Sequence, residues 1–297
     1  MPQRSTIRTG FAILIAALLT ACSGSSPTTP TPPLPPSPGP PPQNAVPSID
    51  TITAQGRRTR QPARFADVSE TIDVAATVRD AETPLDELVY QWSAPAGTFT
   101  GSGRNVTWTA PASAATPGSV TITLKVIENY GHPGQAKIFS HEVTGTQTIA
   151  LHDSAKEVGE MSRRFLTEFS KPQTNQQWQD IMKDFKASVC RQPGLVDDEK
   201  EDVIRHYTNY VMHSYEIRPA AVNVHFGGAC AFRNRPGDAC AIVPVFWDST
   251  DRRTGSRGTA TGLDHIAAAY STTDSRWWLC SSDFEPISSF GHSFYSR

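Results

Sequence analysis

The sequence lacks the charge pattern of proteins that bind nucleic acid or an anionic membrane surface. Its 297 residues carry 27 Lys and Arg against 29 Asp and Glu, which gives a formal net charge of -2. No polybasic block is present, and the aromatic residues are not interleaved with Lys and Arg as they are in a stacking platform for bases. We therefore expect no nucleic acid among the partners of this chain.

The sequence also lacks the motifs that carry common chemistries. It contains no G-x-S-x-G nucleophile elbow, no H-E-x-x-H, no G-x-G-x-x-G and no phosphate-binding loop. None of its five cysteines forms a C-x-x-C pair, so zinc has little support. The sequence predicts no cofactor and no metal site; calcium in the loop that holds Asp80, Glu82 and Asp86 stays an alternative.

Long apolar runs are scarce, and the one that stands out lies at the start of the chain. It extends from Gly10 to Leu19 and follows the basic residues Arg4 and Arg8. A membrane-spanning helix needs about 20 apolar residues. A shorter run behind a basic start is typical of a signal peptide, which we place at residues 1–21.

The residues that close this run, Leu19-Thr20-Ala21-Cys22, resemble the lipobox of bacterial lipoproteins. The resemblance implies cleavage before Cys22, lipid on its thiol and a location in the cell envelope, anchored to the membrane on the extracytoplasmic side. Ser23 in place of Asp implies the outer membrane where the organism has one. Several acyl chains anchor firmly, since each buried methylene contributes about 0.8 kcal/mol. An ordinary secretory leader is the alternative.

Residues 22–47 are rich in Pro, Ser, Thr and Gly. Such a composition cannot bury enough apolar surface to offset the loss of chain entropy. Its prolines favour an extended polyproline II chain, which would reach roughly 70–80 Å over about 25 residues. We expect a disordered stalk that lifts the remainder off the bilayer; docking of a proline-binding partner is the alternative.

Residues 48–146 alternate polar and apolar side chains in short runs, which predicts strands at 71–78, 88–92, 105–109 and 120–126. The segments Tyr90-Gln91-Trp92-Ser93, Trp108-Thr109-Ala110-Pro111 and Glu128-Asn129-Tyr130-Gly131, together with Gly97, resemble a bacterial immunoglobulin-like domain of the polycystic kidney disease (PKD) type. The resemblance implies an all-β sandwich that serves as a spacer or a contact module.

Residues 150–297 begin with helical periodicity. Three helices are predicted by apolar faces at helical spacing: Val158, Met161, Phe165 and Phe169; Trp178, Ile181, Met182 and Phe185 after a capping box at 174–177; and Val203, Ile204, Tyr207 and Val211. The third helix opens with Asp197, Asp198 and Glu199, which suit its N-terminal dipole. His206 and His213, seven residues apart on this predicted helix, complete no metal site.

Four strands follow the helices in the prediction, at about 222–226, 242–247, 258–270 and 276–284. Three helices before an antiparallel sheet indicate an α+β domain with a curved four-stranded sheet. This order, with Arg276-Trp277-Trp278-Leu279 after a hairpin, resembles the nuclear transport factor 2-like superfamily, and a cystatin-like domain shares much of the pattern. The resemblance implies a cone with a pocket, in a family of dehydratases, isomerases and non-catalytic binding domains.

Four cysteines fall in this last part, and an exported chain keeps cysteines as disulfides. Cys230 and Cys240 flank a hairpin loop, which favours their pairing and leaves Cys190 for Cys280. Four cysteines allow three pairings, so the others stay open.

His225, Asp248, Asp264 and His265 lie on predicted strands that would line a cone. A histidine and a carboxylate in an apolar pocket suit general acid–base catalysis. His225 points to solvent, however, if the helices cover the face of Val222 and Val224. The sequence therefore favours a non-catalytic domain that binds a protein, glycan or small molecule, with a His–Asp enzyme and glycan binding through exposed tryptophans as alternatives.

Overall fold

The computed structural model describes residues 43–171, 178–217 and 222–290. The predictions for the signal peptide, for Cys22, for the stalk up to residue 42 and for the capping box at 174–177 lie outside these residues. Strands account for 49% of the described residues and helices for 19%. The prediction of a β-rich chain with several sheets and three helices is therefore confirmed.

Eight strands form the first part of the described chain. In chain order they are β1 (Ser48–Gln55), β2 (Phe65–Asp67), β3 (Thr71–Arg79), β4 (Val89–Ser93), β5 (Thr98–Thr100), β6 (Asn105–Thr109), β7 (Gly118–Tyr130) and β8 (Phe139–His152). They form two sheets, ordered β1-β3-β6-β5 and β2-β8-β7-β4. Strand β3 shows why the alternation predicts strands, because Ile72, Val74 and Val78 are buried while Thr71 and Asp73 are exposed.

The two sheets share one apolar core. Trp108 of β6 is fully buried and packs with residues of both sheets, including Ile72 of β3 and Ile122 of β7. Its indole N–H donates to the carbonyl oxygen of Ala96 at 3.3 Å. Gly97 follows with φ +79°, and a Cβ there would lie 2.6 Å from Trp108 Nε1, so only glycine fits this turn.

Three helices and five strands form the second part. They are α1 (Ser154–Phe169), α2 (Trp178–Ile181), α3 (Leu195–Asn209), β9 (Tyr210–Ile217), β10 (Asn223–Phe226), β11 (Ala239–Asp251), β12 (Arg257–Ser271) and β13 (Arg276–Phe290). The sheet is antiparallel in the order β10-β11-β12-β13, and β9 pairs with the far half of β11. Apolar side chains of the helices, such as Val158, Phe165 and Val203, pack with Val243 and Ile266 of the sheet.

The sheet has five strands rather than the predicted four, because the third helix ends earlier than its periodicity suggests. Val211, predicted on its apolar face, lies on β9, where it pairs with Thr250. His213 also lies on β9, so it does not share a helix with His206. Pairing with β11 satisfies the backbone groups of this segment and overrides its helical pattern.

The second helix is a single turn. It is followed by a short 3-10 segment from Met182 to Asp184, and Phe185 is extended and forms a bridge with Leu279 of β13. The predicted α-helix therefore ends at Ile181, although Met182 and Phe185 of its predicted apolar face are buried as expected. Contact with the sheet edge replaces the last turn of helix.

Strand β8 leads directly into α1. It extends to His152, past the boundary predicted at residue 146, and Asp153 caps α1 by accepting from the backbone N–H of Lys156. His152 is buried between the two parts, with its ring stacked on Phe65 at 4.8 Å. The described residues accordingly fall in one compact unit.

This junction is held by polar side chains as well as by packing. His152 Nδ1 lies 2.8 Å from Glu157 Oε2, and His152 Nε2 lies 2.9 Å from the Tyr270 hydroxyl. Asp67 of β2 accepts from both the backbone N–H and the hydroxyl of Ser154. The first residues of α1 are thus fixed by a strand of the sandwich.

Two disulfides connect the second part internally. Cys190 pairs with Cys280, and Cys230 pairs with Cys240, as the sequence favours. The first bridge ties the segment between α2 and α3 to β13. The second joins the loop after β10 to the start of β11, so helices and sheet are covalently linked.

Candidate functional site

A cavity of about 160 Å³ lies between the helices and the sheet of the second part. Helices α1 and α3 form one wall, and strands β11, β12 and β13 form the other. The side chains that line it are Phe165, Leu166, Phe169, Glu199, Asp202, Val203, His206, Val245, Trp247, Asp264, Ser282 and Phe284. A largely apolar pocket with a few convergent polar groups is the usual form of a small-molecule site.

Two buried acidic side chains meet in this cavity through one serine. Glu199 is 7% exposed and Asp264 is 6% exposed. The backbone N–H of Ser282 donates to Glu199 Oε2 at 2.7 Å, and the Ser282 hydroxyl donates to Asp264 Oδ1 at 2.7 Å. The second oxygen of Glu199, Oε1, accepts no hydrogen bond from the described residues.

Burial raises the pKa of Glu199 from 4.5 to about 8. Loss of hydration is the largest cause, because it disfavours the charged carboxylate, and the negative charges of Asp264 and Asp283 act in the same direction. The Ser282 N–H and the Arg235 guanidinium oppose the shift. Near neutral pH, Glu199 is therefore largely protonated.

Aromatic rings form a continuous surface along the same cavity. The Phe169 ring lies 4.6 Å from that of His206, which stacks on Trp247 at 5.0 Å with an interplanar angle of 18°. Trp247 in turn lies 5.4 Å from Phe284. The polar and aromatic side chains thus converge from α1, α3 and three strands.

Of the four residues proposed from the sequence, Asp264 alone lines this cavity. His225 is exposed on β10, where Val222 and Val224 pack against the core, so the expectation that it faces solvent is confirmed. Asp248 is paired with Arg257, whose Nε lies 2.9 Å from Asp248 Oδ1.

His265 follows Asp264 in β12 and therefore points to the opposite face of the sheet. Its Nε2 lies 2.7 Å from Glu285 Oε2, its ring lies 5.3 Å from that of Phe232, and its buried Nδ1 has no hydrogen-bond partner. The His–Asp pair proposed from the sequence is not formed by these two neighbours, because strand geometry separates them.

Three cavity residues were missed as site residues in the sequence: Glu199, His206 and Ser282. Glu199 was assigned to the helix dipole, and His206 to the surface. The spacing of Glu199, Asp202, Val203 and His206 is i, i+3, i+4, i+7, which places them on one face of α3. That pattern can be recognised in the sequence. The contact of Ser282 with Glu199 cannot, because it joins residues far apart in the chain.

Within α3, the predicted apolar face is correct at Val203 and Tyr207, which pack in the core, and wrong at Ile204. Val203 is buried, as expected, but Ile204 is 42% exposed. On the same helix, Ile204 is exposed and Glu199 is buried, which reverses the usual preference of apolar side chains for the interior. The reversal indicates that the face of α3 that carries Glu199 has a role besides core packing.

Within residues 43–171, 178–217 and 222–290, no three His, Cys, Asp or Glu side chains are arranged to hold a metal ion. In the same residues, no helix combines the length and the apolar character that a membrane crossing requires. Comparison of the chain with protein-family models, with curated proteins and with solved structures finds no match.

Proposed function

We propose that this chain is a lipid-anchored cell-envelope protein whose C-terminal part is a non-catalytic module that binds a small ligand. The main support for ligand binding is the cavity beneath α1 and α3, with its aromatic wall and its buried polar groups. The lipobox-like Leu19-Thr20-Ala21-Cys22 supports the anchor. The two disulfides support export, because disulfides persist in oxidising compartments.

We also propose a family for each part. Two four-stranded sheets around a shared core that contains Trp108 support an immunoglobulin-like sandwich of the PKD type. Helices laid over an antiparallel sheet, with a cavity between them, support a nuclear transport factor 2-like cone. In this proposal the sandwich is a spacer that separates the cone from the membrane.

Ligand binding is tested by blocking the cavity. Ligand-observed NMR with a library of small fragments is run on the full-length chain in non-ionic detergent and on the variant Val203→Phe. We expect fragments that bind the parent chain and lose binding in the variant, because the larger ring fills the cavity. Ile204→Phe, at the exposed neighbouring position of the same helix, is the matched control. Fragments that bind all three proteins equally would place the site elsewhere.

The anchor has its own test. Labelled palmitate should enter the parent protein and the variant Ser23→Ala, and it should not enter Cys22→Ser, because only the latter removes the acylated thiol. A Cys22→Ser protein that takes up label at the parent level would reject the anchor without affecting the ligand proposal.

A catalytic function is the second candidate, and the Glu199–Ser282–Asp264 arrangement favours it. Two buried carboxyl groups that share one serine, with the pKa of Glu199 raised by burial, can serve as an acid–base pair. Each fragment that binds is incubated with the protein and analysed by mass spectrometry. Ligands recovered unchanged would support binding without catalysis. A product formed by the parent chain and not by Glu199→Gln would support a catalytic function.

Glycan binding through exposed tryptophans has less support. All six tryptophans lie in the described residues, and each is buried or half-buried. Trp278, for example, is covered by the Arg276 guanidinium at 4.0 Å. The sheet surfaces thus offer no exposed row of indole rings for sugars.

A further inference from the structure

We propose that the cavity beneath α1 and α3 selects a small organic cation, a substituted ammonium about the size of choline. The inference rests on the proposed function, because it names the chemical class of the ligand for that same cavity. Three independent features of the cavity carry it: the sign of its charge, the chemistry of its wall and its volume.

The charge of the lining is acidic. Glu199, Asp202 and Asp264 all line the cavity, and none of the described lining residues is a lysine or an arginine. Asp202 pairs with Arg205 on the helix surface, and the charge of Arg235 acts on Glu199, but neither arginine lines the cavity. An anionic ligand would meet three carboxyl groups and no lysine or arginine in the lining, whereas an ammonium group would be attracted.

The wall is aromatic. Phe169, His206, Trp247 and Phe284 follow one another with ring centroids 4.6 to 5.4 Å apart. A cation over the face of an aromatic ring is attracted by the ring quadrupole, most strongly with tryptophan and where water is excluded. Acidic groups beside aromatic rings form the combination that recognises substituted ammonium ions.

The volume sets the size of the ligand. A cavity of about 160 Å³ is similar to one that holds a benzene molecule. Glu199 is buried, and its Oε1 accepts no hydrogen bond from the described residues, so one carboxyl oxygen remains for a ligand. A bound cation would favour the ionised form of Glu199, and binding would release a proton.

The test compares choline with dimethylbutanol, its neutral isostere, by isothermal titration calorimetry on the full-length chain in non-ionic detergent. We expect choline to bind about tenfold more tightly than the isostere, as a cation–π contact combined with a nearby carboxylate suggests. We expect Asp264→Asn and Glu199→Gln each to weaken choline binding about tenfold. Glu201→Gln, an exposed acid on the same helix, is the matched control, and circular dichroism verifies that each variant is folded.

A second readout is the proton balance. The titratable groups that line the cavity with Glu199 are Asp202, His206 and Asp264, and the charges of Asp283 and Arg235 also act on Glu199. Titration in buffers of different ionisation enthalpy should show proton release on choline binding by the parent chain, and less release with Glu199→Gln.

The outcomes separate the two proposals. Equal affinity for choline and the isostere, with both lost in Val203→Phe, would reject cation selectivity. It would still support ligand binding in the cavity. If neither probe binds, the proposal of a cation ligand is also rejected. The fragment screen would then test by itself whether the C-terminal part binds a ligand. Choline binding that is unchanged in both acid variants would place the cation outside this cavity and reject the inference.

Discussion

The sandwich of β1–β8 and the helical and five-stranded part that follows differ in what they bury. The cores of the sandwich are apolar, and its buried acid is Glu128. The second part buries several carboxyl groups. They include Asp184, Glu199, Asp238, Asp264 and Asp283.

The partners of these buried acids show which of them stabilise the fold. Asp184, Asp238 and Asp283 each pair with arginine, through Arg164, Arg191 and Arg235 respectively. Glu199 has no basic partner within salt-bridge distance among the described residues and accepts from a backbone N–H instead. Burial of an uncompensated acid is costly, so its presence distinguishes a site from a structural ion pair.

The disulfides, both of which lie in the second part, should give the largest effect on stability. Replacing Cys190 and Cys280 together by alanine should lower the free energy of unfolding by about 4 kcal/mol, because the bridge closes a long loop. The residues it joins are 90 apart, against 10 for Cys230 and Cys240. Urea unfolding measures the change. Cys230→Ala with Cys240→Ala is the matched comparison, and its cost should be about 1–2 kcal/mol smaller; equal costs would contradict the loop argument.

The pH dependence of stability should differ because of Glu199. Its folded-state pKa, about 8, lies above its usual 4.5, so the folded protein holds a proton that the unfolded chain releases. The stabilisation is full below pH 4.5 and is lost as pH rises to about 8, by about 1.4 kcal/mol per pH unit.

Glu199→Gln should remove this pH dependence, worth about 4 kcal/mol between pH 4.5 and pH 8. Urea unfolding at several pH values compares it with the parent chain and with Glu201→Gln. Three parallel profiles would show that burial of Glu199 does not control the pH dependence.

The junction between the parts should give an intermediate effect. His152→Phe keeps a ring on Phe65 but removes the contacts with Glu157 and Tyr270, which should cost about 2 kcal/mol. We also expect the parent chain to unfold in one transition and this variant in two, as followed by hydrogen exchange. His225→Phe, at an exposed position, should leave both the transition and the stability unchanged; a shift as large as that of His152→Phe would contradict the assignment.

The smallest effect is expected on the surface of the sandwich. Lys125→Ala removes the pair with Glu142, in which both side chains are more than a third exposed. Such pairs contribute little, so the free energy of unfolding should change by about 0.5 kcal/mol or less. Thermal unfolding measures it, with Glu142→Gln as the reciprocal variant. A loss above about 1 kcal/mol would show that the two parts do not differ in their reliance on ion pairs.

The sequence predicts secondary structure best where that structure depends on residues close together in the chain. Strand β3 covers the predicted 71–78 because its alternation is local, and the first turn of α3 contains Asp197 and Asp198 as expected. The failures have long-range causes. Pairing with β11 converts the end of the third helix into β9, and contact of Phe185 with Leu279 ends the second.

The candidate site was only partly accessible from the sequence. The sequence predicts Asp264 as a candidate partner of His225 or His265, but neither histidine lines the cavity. Glu199 and His206 share a helical face that the sequence already contained. Ser282, which joins Glu199 to Asp264, depends on how β13 meets α3, and no local pattern records that contact.

The passage from β8 into α1 bears on how such a protein can diversify. Many extracellular chains behave as strings of exchangeable modules, each with its own linker. Here Asp67 of the first part binds the first residue of the helix in the second, and His152 is shared by both. Recombination that exchanged the sandwich for another module would leave the start of α1 without its contact with Asp67, so we expect the two parts to be exchanged together.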